Sequence, residues 1–221
     1  MSDEKWRKVA VWDLPLRLFH WLAVALVAAA YATWRLNWMD WHAAIGEALL
    51  ALVLWRLLWG FFGSDSARFA HFLGPPREAL RHLAEIRRRE PDREAGHNPA
   101  GGWVVLLLLA LLLGETLTGI YVNNDIADQG PLTEMTPAPV ANLITLLHKR
   151  LWDVLLAAIV LHLLAIAGYA ALKRHNLVLP MLTGWKRLPA GVPAPRLRGP
   201  LRALALLGCA AVAAAALAAL F

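Results

Sequence analysis

Five long apolar runs limit what this chain can fold into. They lie at about Leu14–Leu36, His42–Phe62, Gly102–Val122, Ile144–Leu172 and Leu201–Phe221. Each supplies about 20 or more residues, the helical length that crosses roughly 30 Å of hydrocarbon. They are apolar nearly all round, whereas a surface helix of a water-soluble domain is polar on one face. The expected fold is an all-α transmembrane helical bundle. The first run resembles a signal peptide in position only. It is long, ends in "YATWRLNW" and lacks a small-x-small cleavage site, so it reads as a retained span. The chain has 11 Trp and only 3 Tyr. Trp12, Trp38, Trp41, Trp59, Trp103 and Trp152 flank the apolar runs, where indoles favour the bilayer interface.

The polar connections carry the charge. Eighteen of the 22 Lys and Arg residues fall in three stretches: the N-terminal segment through Arg17, the loop between spans two and three, and the loop between spans four and five. The opposite connections hold Arg35, Lys149 and Arg150 beside Asp40, Asp125, Asp128 and Glu134. Basic loops stay on the cytoplasmic side. The expected topology places the N-terminus inside and the C-terminus outside. The net charge of +6 then faces anionic lipid headgroups, and nucleic acid is not an expected partner. A single cysteine, Cys209, lies in an apolar run. That excludes an intrachain disulfide framework, a cysteine zinc site, an iron–sulfur cluster and covalent C-x-x-C-H haem attachment.

Local signals fill in the connections. "PPREALRHLAEIRRRE" has helical spacing at Leu80, Leu83 and Ile86 with basic residues between, which predicts a short helix on the membrane surface. In "GHNPAGGW", Asn98 is a helix cap and Pro99 fits the first helical position. "RLPAGVPAPRLRGP" reads as a Pro-rich linker. The expected division is residues 1–185 as the main transmembrane domain and 186–221 as linker plus last helix. No internal repeat is visible.

Four of the eight histidines, His71, His82, His97 and His175, lie in the basic loops or at their edges. They are expected to be solvated or headgroup-facing. The other four, His20, His42, His148 and His162, lie in the spans or at their ends. His20 is about 9 Å and His162 about 15 Å from the inner ends of their spans, at 1.5 Å rise per residue. His42 and His148 share the outer level. Span four therefore contributes to both levels. Its two histidines are 14 residues apart, which is about 21 Å of rise and only about 40° of azimuth. One imidazole from each of two helices is how an iron porphyrin is held axially. A neutral imidazole does so without burying a protonated charge. The depth match predicts two bis-histidine haems, with no ligand from the fifth helix. One haem lies between His20 and His162, the other between His42 and His148. A lone intramembrane histidine is equally a helix–helix hydrogen-bond partner.

Other features leave alternatives open. Arg56 lies within span two, near the inner haem level; it is a partner for a haem propionate or a snorkelling side chain. Arg17 and Arg68 are weaker candidates for the same role. Gly46 and Gly119 let a flat macrocycle approach a helix, or serve ordinary close packing. Glu115 is a protonated hydrogen-bonded acid or a proton-transfer group near a quinone.

"VWDLPLRLFHW", "HAAIGEALLALVLWRLLWGFFGSDSARF", "GHNPAGGWVVLLLLALLLGETLTGIY" and "LHKRLWDVLLAAIVLHLLAIAGYAALKRHNLV" together resemble the bacterial cytochrome b561 and nickel–iron hydrogenase b-type cytochrome family. The resemblance spans about Val11 to Trp185. It implies a helical-bundle integral membrane cytochrome, a four-helix haem-binding core plus a fifth helix, with b-type haem (two, non-covalent), passing electrons between a periplasmic partner, a hydrogenase or small c-type cytochrome, and the quinone pool. It also implies that His20, His42, His148 and His162 are axial ligands. On this reading the chain is an electron carrier or cytochrome subunit rather than a self-sufficient enzyme. The competing readings are a proton-coupled transporter using histidine and Glu115, and a haem-free membrane anchor of a redox enzyme.

Overall fold

The computed structural model describes residues 5–88, 92–122 and 136–219. Arg89, Asp125, Asp128 and Glu134, which entered the charge argument, lie outside the described residues. Eight α-helices account for most of the rest: α1 (Leu14–Arg35), α2 (Met39–Phe62), α3 (Phe69–Phe72), α4 (Pro76–Ala84), α5 (Pro99–Gly119), α6 (Ala138–Gly168), α7 (Val178–Thr183) and α8 (Pro200–Ala219). Five of them, α1, α2, α5, α6 and α8, are long and apolar enough to cross a membrane. This is an all-α transmembrane bundle with almost no sheet. Span four is the main difference from expectation. It begins at Ala138, six residues before Ile144, directly after Pro137. Past Gly168 it continues as a wider π turn, Tyr169–Lys173, and stops at Arg174 in the left-handed region (φ 57°).

The chain divides into two compact units, to which each long helix contributes a part. The first comprises Met1–Leu18, Leu58–Leu107 and Ile159–Ala203. Two short antiparallel strands lie here, β1 (Trp6–Ala10) and β2 (Trp185–Pro189), with Trp6 opposite Pro189 and Ala10 opposite Trp185. Val9 and Leu188 point inward and are buried, while Lys8 lies over the Trp185 ring at 5.1 Å. Gly184 makes the entry into β2. Its φ is 85°, its carbonyl accepts from the amides of Val11 and Trp12, and a Cβ would come within 2.9 Å of the Trp12 carbonyl oxygen. The supposed linker is therefore anchored at its start. It is held again further on: the Arg196 amide donates to Asp65 Oδ2 at 3.1 Å and the Arg198 amide to Ser64 Oγ at 2.8 Å.

Asp13 caps α1. Its Oδ1 accepts from the Leu16 amide at 2.6 Å, and its Oδ2 accepts from the Trp59 indole at 3.2 Å. Both Trp12 and Trp59 are buried rather than interfacial, because their rings are taken up by His97 and Asp13. Trp38 and Trp41 are exposed, as a bilayer interface requires. Asn98 caps α5 as its sequence predicts, accepting from the Gly101 amide at 2.7 Å. The α4 helix also forms where its spacing placed it, with Leu80 and Leu83 exposed.

The second unit comprises Phe19–Leu57, Leu108–Ala158 and Leu204–Phe221. Leu50 of α2, Ile120 just past α5 and Ala214 of α8 form a buried cluster, with Leu113, Leu117 and Leu217 against it. The fifth span is thus packed on α2 and α5 in this unit. Tyr31 of α1 stacks on Trp152 of α6 at 5.4 Å.

Replacing Asp13 by Ala strips the α1 cap and leaves a buried indole N–H unmet, so a loss of about 1–2 kcal/mol is expected. Thermal unfolding in detergent reads it as a lowered midpoint. Asp13→Asn, which keeps one acceptor oxygen for the cap, is expected to lose less. Equal midpoints for wild type and Asp13→Ala contradict the assignment.

Candidate functional site

His42 and His148 both belong to the second unit, each with a group that orients its ring. Between α1 and α2 the chain reverses in three residues, with Asn37 in the left-handed region (φ 57°). Asparagine tolerates that conformation better than most residues. The tight reversal lays the first turn of α2 along α1, and His42 Nδ1 meets the Ala30 carbonyl at 2.9 Å. A carbonyl only accepts, so Nδ1 carries the proton and Nε2 keeps its lone pair.

His148 on α6 repeats the arrangement against α5. Its Nδ1 lies 3.0 Å from the Glu115 carbonyl and 3.1 Å from Thr118 Oγ1. The Thr118 hydroxyl is itself spent on the Gly114 carbonyl at 2.7 Å, so it accepts from the ring. Again the proton sits on Nδ1 and Nε2 is left with a lone pair. Glu115 Oε1 stands 3.5 Å from that Nε2. Glu115 Oε2 is buried with no hydrogen-bond partner among the described residues.

Both glycines singled out from the sequence have a legible place. A Cβ on Gly119 would lie 3.3 Å from His148 Cε1, so this glycine lets the imidazole rest against the end of α5. Gly46, one turn beyond His42, has nothing within 4 Å of where its Cβ would be. That leaves open space along α2 one turn from His42.

Arg56 is only 1% exposed. A guanidinium with so little accessible surface is not snorkelling, which removes one of its two readings. Of the weaker candidates, Arg17 is committed to the Leu182 carbonyl through Nη1. Arg68 is partly buried beside the short helix Asp65–Ala67.

His20 belongs to the same unit as His42 and packs edge-on against Trp21 at 4.8 Å. His162 belongs to the first unit and is half-buried. The basic-end histidines differ from expectation. His97 lies between Trp12 and Phe72, at 4.7 and 4.6 Å. His82 is hydrogen-bonded to Tyr169, and His175 is 3.8 Å from Asp92. Only His71 is substantially exposed. Charge and position within a basic loop gave no sign of these contacts, because the partners come from distant parts of the chain.

A family-wide sequence profile, that of prokaryotic cytochrome b561, matches residues 11–184. The chain belongs to the prokaryotic cytochrome b561 family. Comparisons with curated proteins and with solved structures gave no match. Membership makes this chain a multi-pass membrane b-type cytochrome that takes part in electron transfer. The cytochrome's residues suit a b-type haem. Two imidazoles each present an unprotonated Nε2 with the opposite nitrogen tied to a backbone carbonyl, the usual outer support of a metal-bound histidine. The open flank at Gly46 suits a flat macrocycle.

Gly119→Val is expected to displace the His148 ring and lower the haem retained through purification of this cytochrome. Gly208→Ala, at a glycine with open space around it, is expected to change nothing. Soret absorbance per unit protein is the measurement, and unchanged absorbance in Gly119→Val contradicts the role given to this glycine.

Proposed function

We propose that this cytochrome holds two b-type haems, one axially between His42 and His148 and one between His20 and His162, and carries electrons across a bacterial inner membrane. The observation that carries the reading is the pair of Nδ1–carbonyl hydrogen bonds at His42 and His148. Both rings commit Nδ1 to a backbone carbonyl, which leaves Nε2 as the coordinating nitrogen, with Glu115 Oε1 3.5 Å from that of His148. When bound, haem supplies reversible one-electron exchange at its iron. The chain's own residues do the rest. The histidines fix the iron, and the Ala30 and Glu115 carbonyls hold the rings in one tautomer. The apolar helices exclude water. The buried Arg56 guanidinium would offset the negative charge of a haem propionate.

The second pair rests on depth and on the 14-residue spacing within α6. At 1.5 Å per residue that spacing separates the two levels by about 21 Å along the helix. The N-terminus and the basic loops face the cytoplasm, following the charge bias. Electrons pass between a periplasmic redox partner, a small c-type cytochrome or a hydrogenase-like enzyme, and the quinone pool. A proton-coupled transporter draws its support from the half-partnered, buried Glu115. It predicts pH-driven flux from haem-free protein.

Replacing His42 or His148 by Ala is expected to remove the same haem, and replacing His20 or His162 the other. Redox titration of the visible spectrum, variant by variant, resolves the two components. Loss of different components on replacing His42 and His148 shows that the pairing is wrong. Retention of both components in every variant shows that the ligands are.

A further inference from the structure

The first unit holds a second polar cluster that electron transfer does not explain. Tyr169 is 5% exposed. Its hydroxyl lies 2.6 Å from His82 Nε2, and the two rings are stacked at 17°. The Asn98 side chain also hydrogen-bonds Tyr169. The pair sits where α6 widens into its π turn, a distortion that recurs at functional sites. In the same unit, Asp92 Oδ2 is 2.5 Å from Lys186 Nζ and 3.8 Å from His175 Nδ1. Lys186 also donates to the Glu94 carbonyl at 2.9 Å. These side chains come from α4, the segment before α5, the end of α6, the segment after it, and β2. A helix cap needs one or two of them. A set of exchangeable acids and bases assembled from five segments needs another explanation.

The charges around the pair favour proton exchange. Burial lowers the proton affinity of His82, and Lys173 and His175 act the same way, while Glu85 and Asp92 oppose them. His82 is therefore neutral near pH 7 and can both accept and donate. Burial and the neighbouring Asp92 raise the Glu94 carboxyl, against the pull of Lys186.

Position supplies the last link. Tyr169 follows His162 by seven residues. That is about 10 Å along α6 and within about 20° of the same azimuth. Resting on the proposed haem at His162, electrons and protons become available on one face of one helix, two turns apart.

We propose that His82 and Tyr169 form the inner end of a proton-transfer chain, fed by Asp92, His175, Lys186 and Glu94, that serves a membrane quinone reduced beside His162. The balance is simple. The quinone takes two electrons in successive one-electron steps and two protons on its carbonyl oxygens. Tyr169 gives up its phenolic proton and regains one from His82. His82 is recharged from the Asp92 and His175 side, where the two side chains keep 15% and 18% of their surface exposed. The same groups accept protons when a quinol is oxidised.

The test uses the full-length, haem-loaded protein in liposomes. Reduced haem is oxidised either with decylubiquinone, which takes up protons, or with ferricyanide, which does not. Tyr169→Phe and His82→Gln are each expected to slow oxidation by the quinone on the order of 100-fold. Haem content and oxidation by ferricyanide are expected to stay at wild-type values. His71→Gln, at an exposed histidine, is expected to behave as wild type with both oxidants. Wild-type rates with decylubiquinone in both Tyr169→Phe and His82→Gln overturn the proposal. So does a haem-replete wild type that reacts with ferricyanide but not with the quinone. Wild-type protein that carries no haem overturns the electron-transfer reading instead, and its spectrum distinguishes that failure from the others.

Discussion

A neutral imidazole has one proton to give, and at His42 and His148 it goes to a backbone carbonyl, of Ala30 in one case and Glu115 in the other. The rest of the site follows from those two bonds. A ring whose Nδ1 is committed presents Nε2 as a base, and a base in a low-dielectric bundle is a ligand for a metal or a site for a proton. Each bond in turn depends on how the helices meet. The turn at Asn37 folds α2 back along α1, and Gly119 lets α6 bring His148 against the end of α5. Remove either and the tautomer is no longer imposed.

The membrane architecture was legible because hydropathy is a property of residues, summed over a length that the bilayer sets. The cap at Asn98 and the short helix at Pro76–Ala84 were legible for a similar reason, since both rest on neighbours in sequence. What stayed hidden depends on distant partners. "WRKVA" and "WKRLP" are five residues each, charged and unremarkable alone. They become strands only because Gly184 turns the chain so that its carbonyl meets the Val11 and Trp12 amides. The early start of α6 was masked by "TPAPVAN", whose prolines read as loop although Pro137 immediately precedes the helix.

The site divides the same way. Depth and spacing within span four single out His148 and, on span two, His42. They say nothing of which ring nitrogen is tied to a backbone carbonyl, because that depends on Ala30 and on Glu115. Arg56 was ambiguous until its burial was known, because an arginine two turns from a span's end reaches the headgroups in one geometry and the interior in another. Three histidines in basic loops looked solvated. His82, His97 and His175 are instead engaged with Tyr169, with Trp12 and Phe72, and with Asp92. Helix α6 connects these observations: His148 lies toward its start, His162 further along, and Tyr169 at the point where the α-helical winding gives way.

The central claim is that four histidines at two levels of one bundle hold two haems. Pyridine haemochrome absorbance of the purified, haem-replete protein, divided by protein from quantitative amino-acid analysis, tests it most directly. The account predicts a b-type spectrum and about two haems per chain, one for each axial histidine pair. One haem per chain, or none, contradicts it.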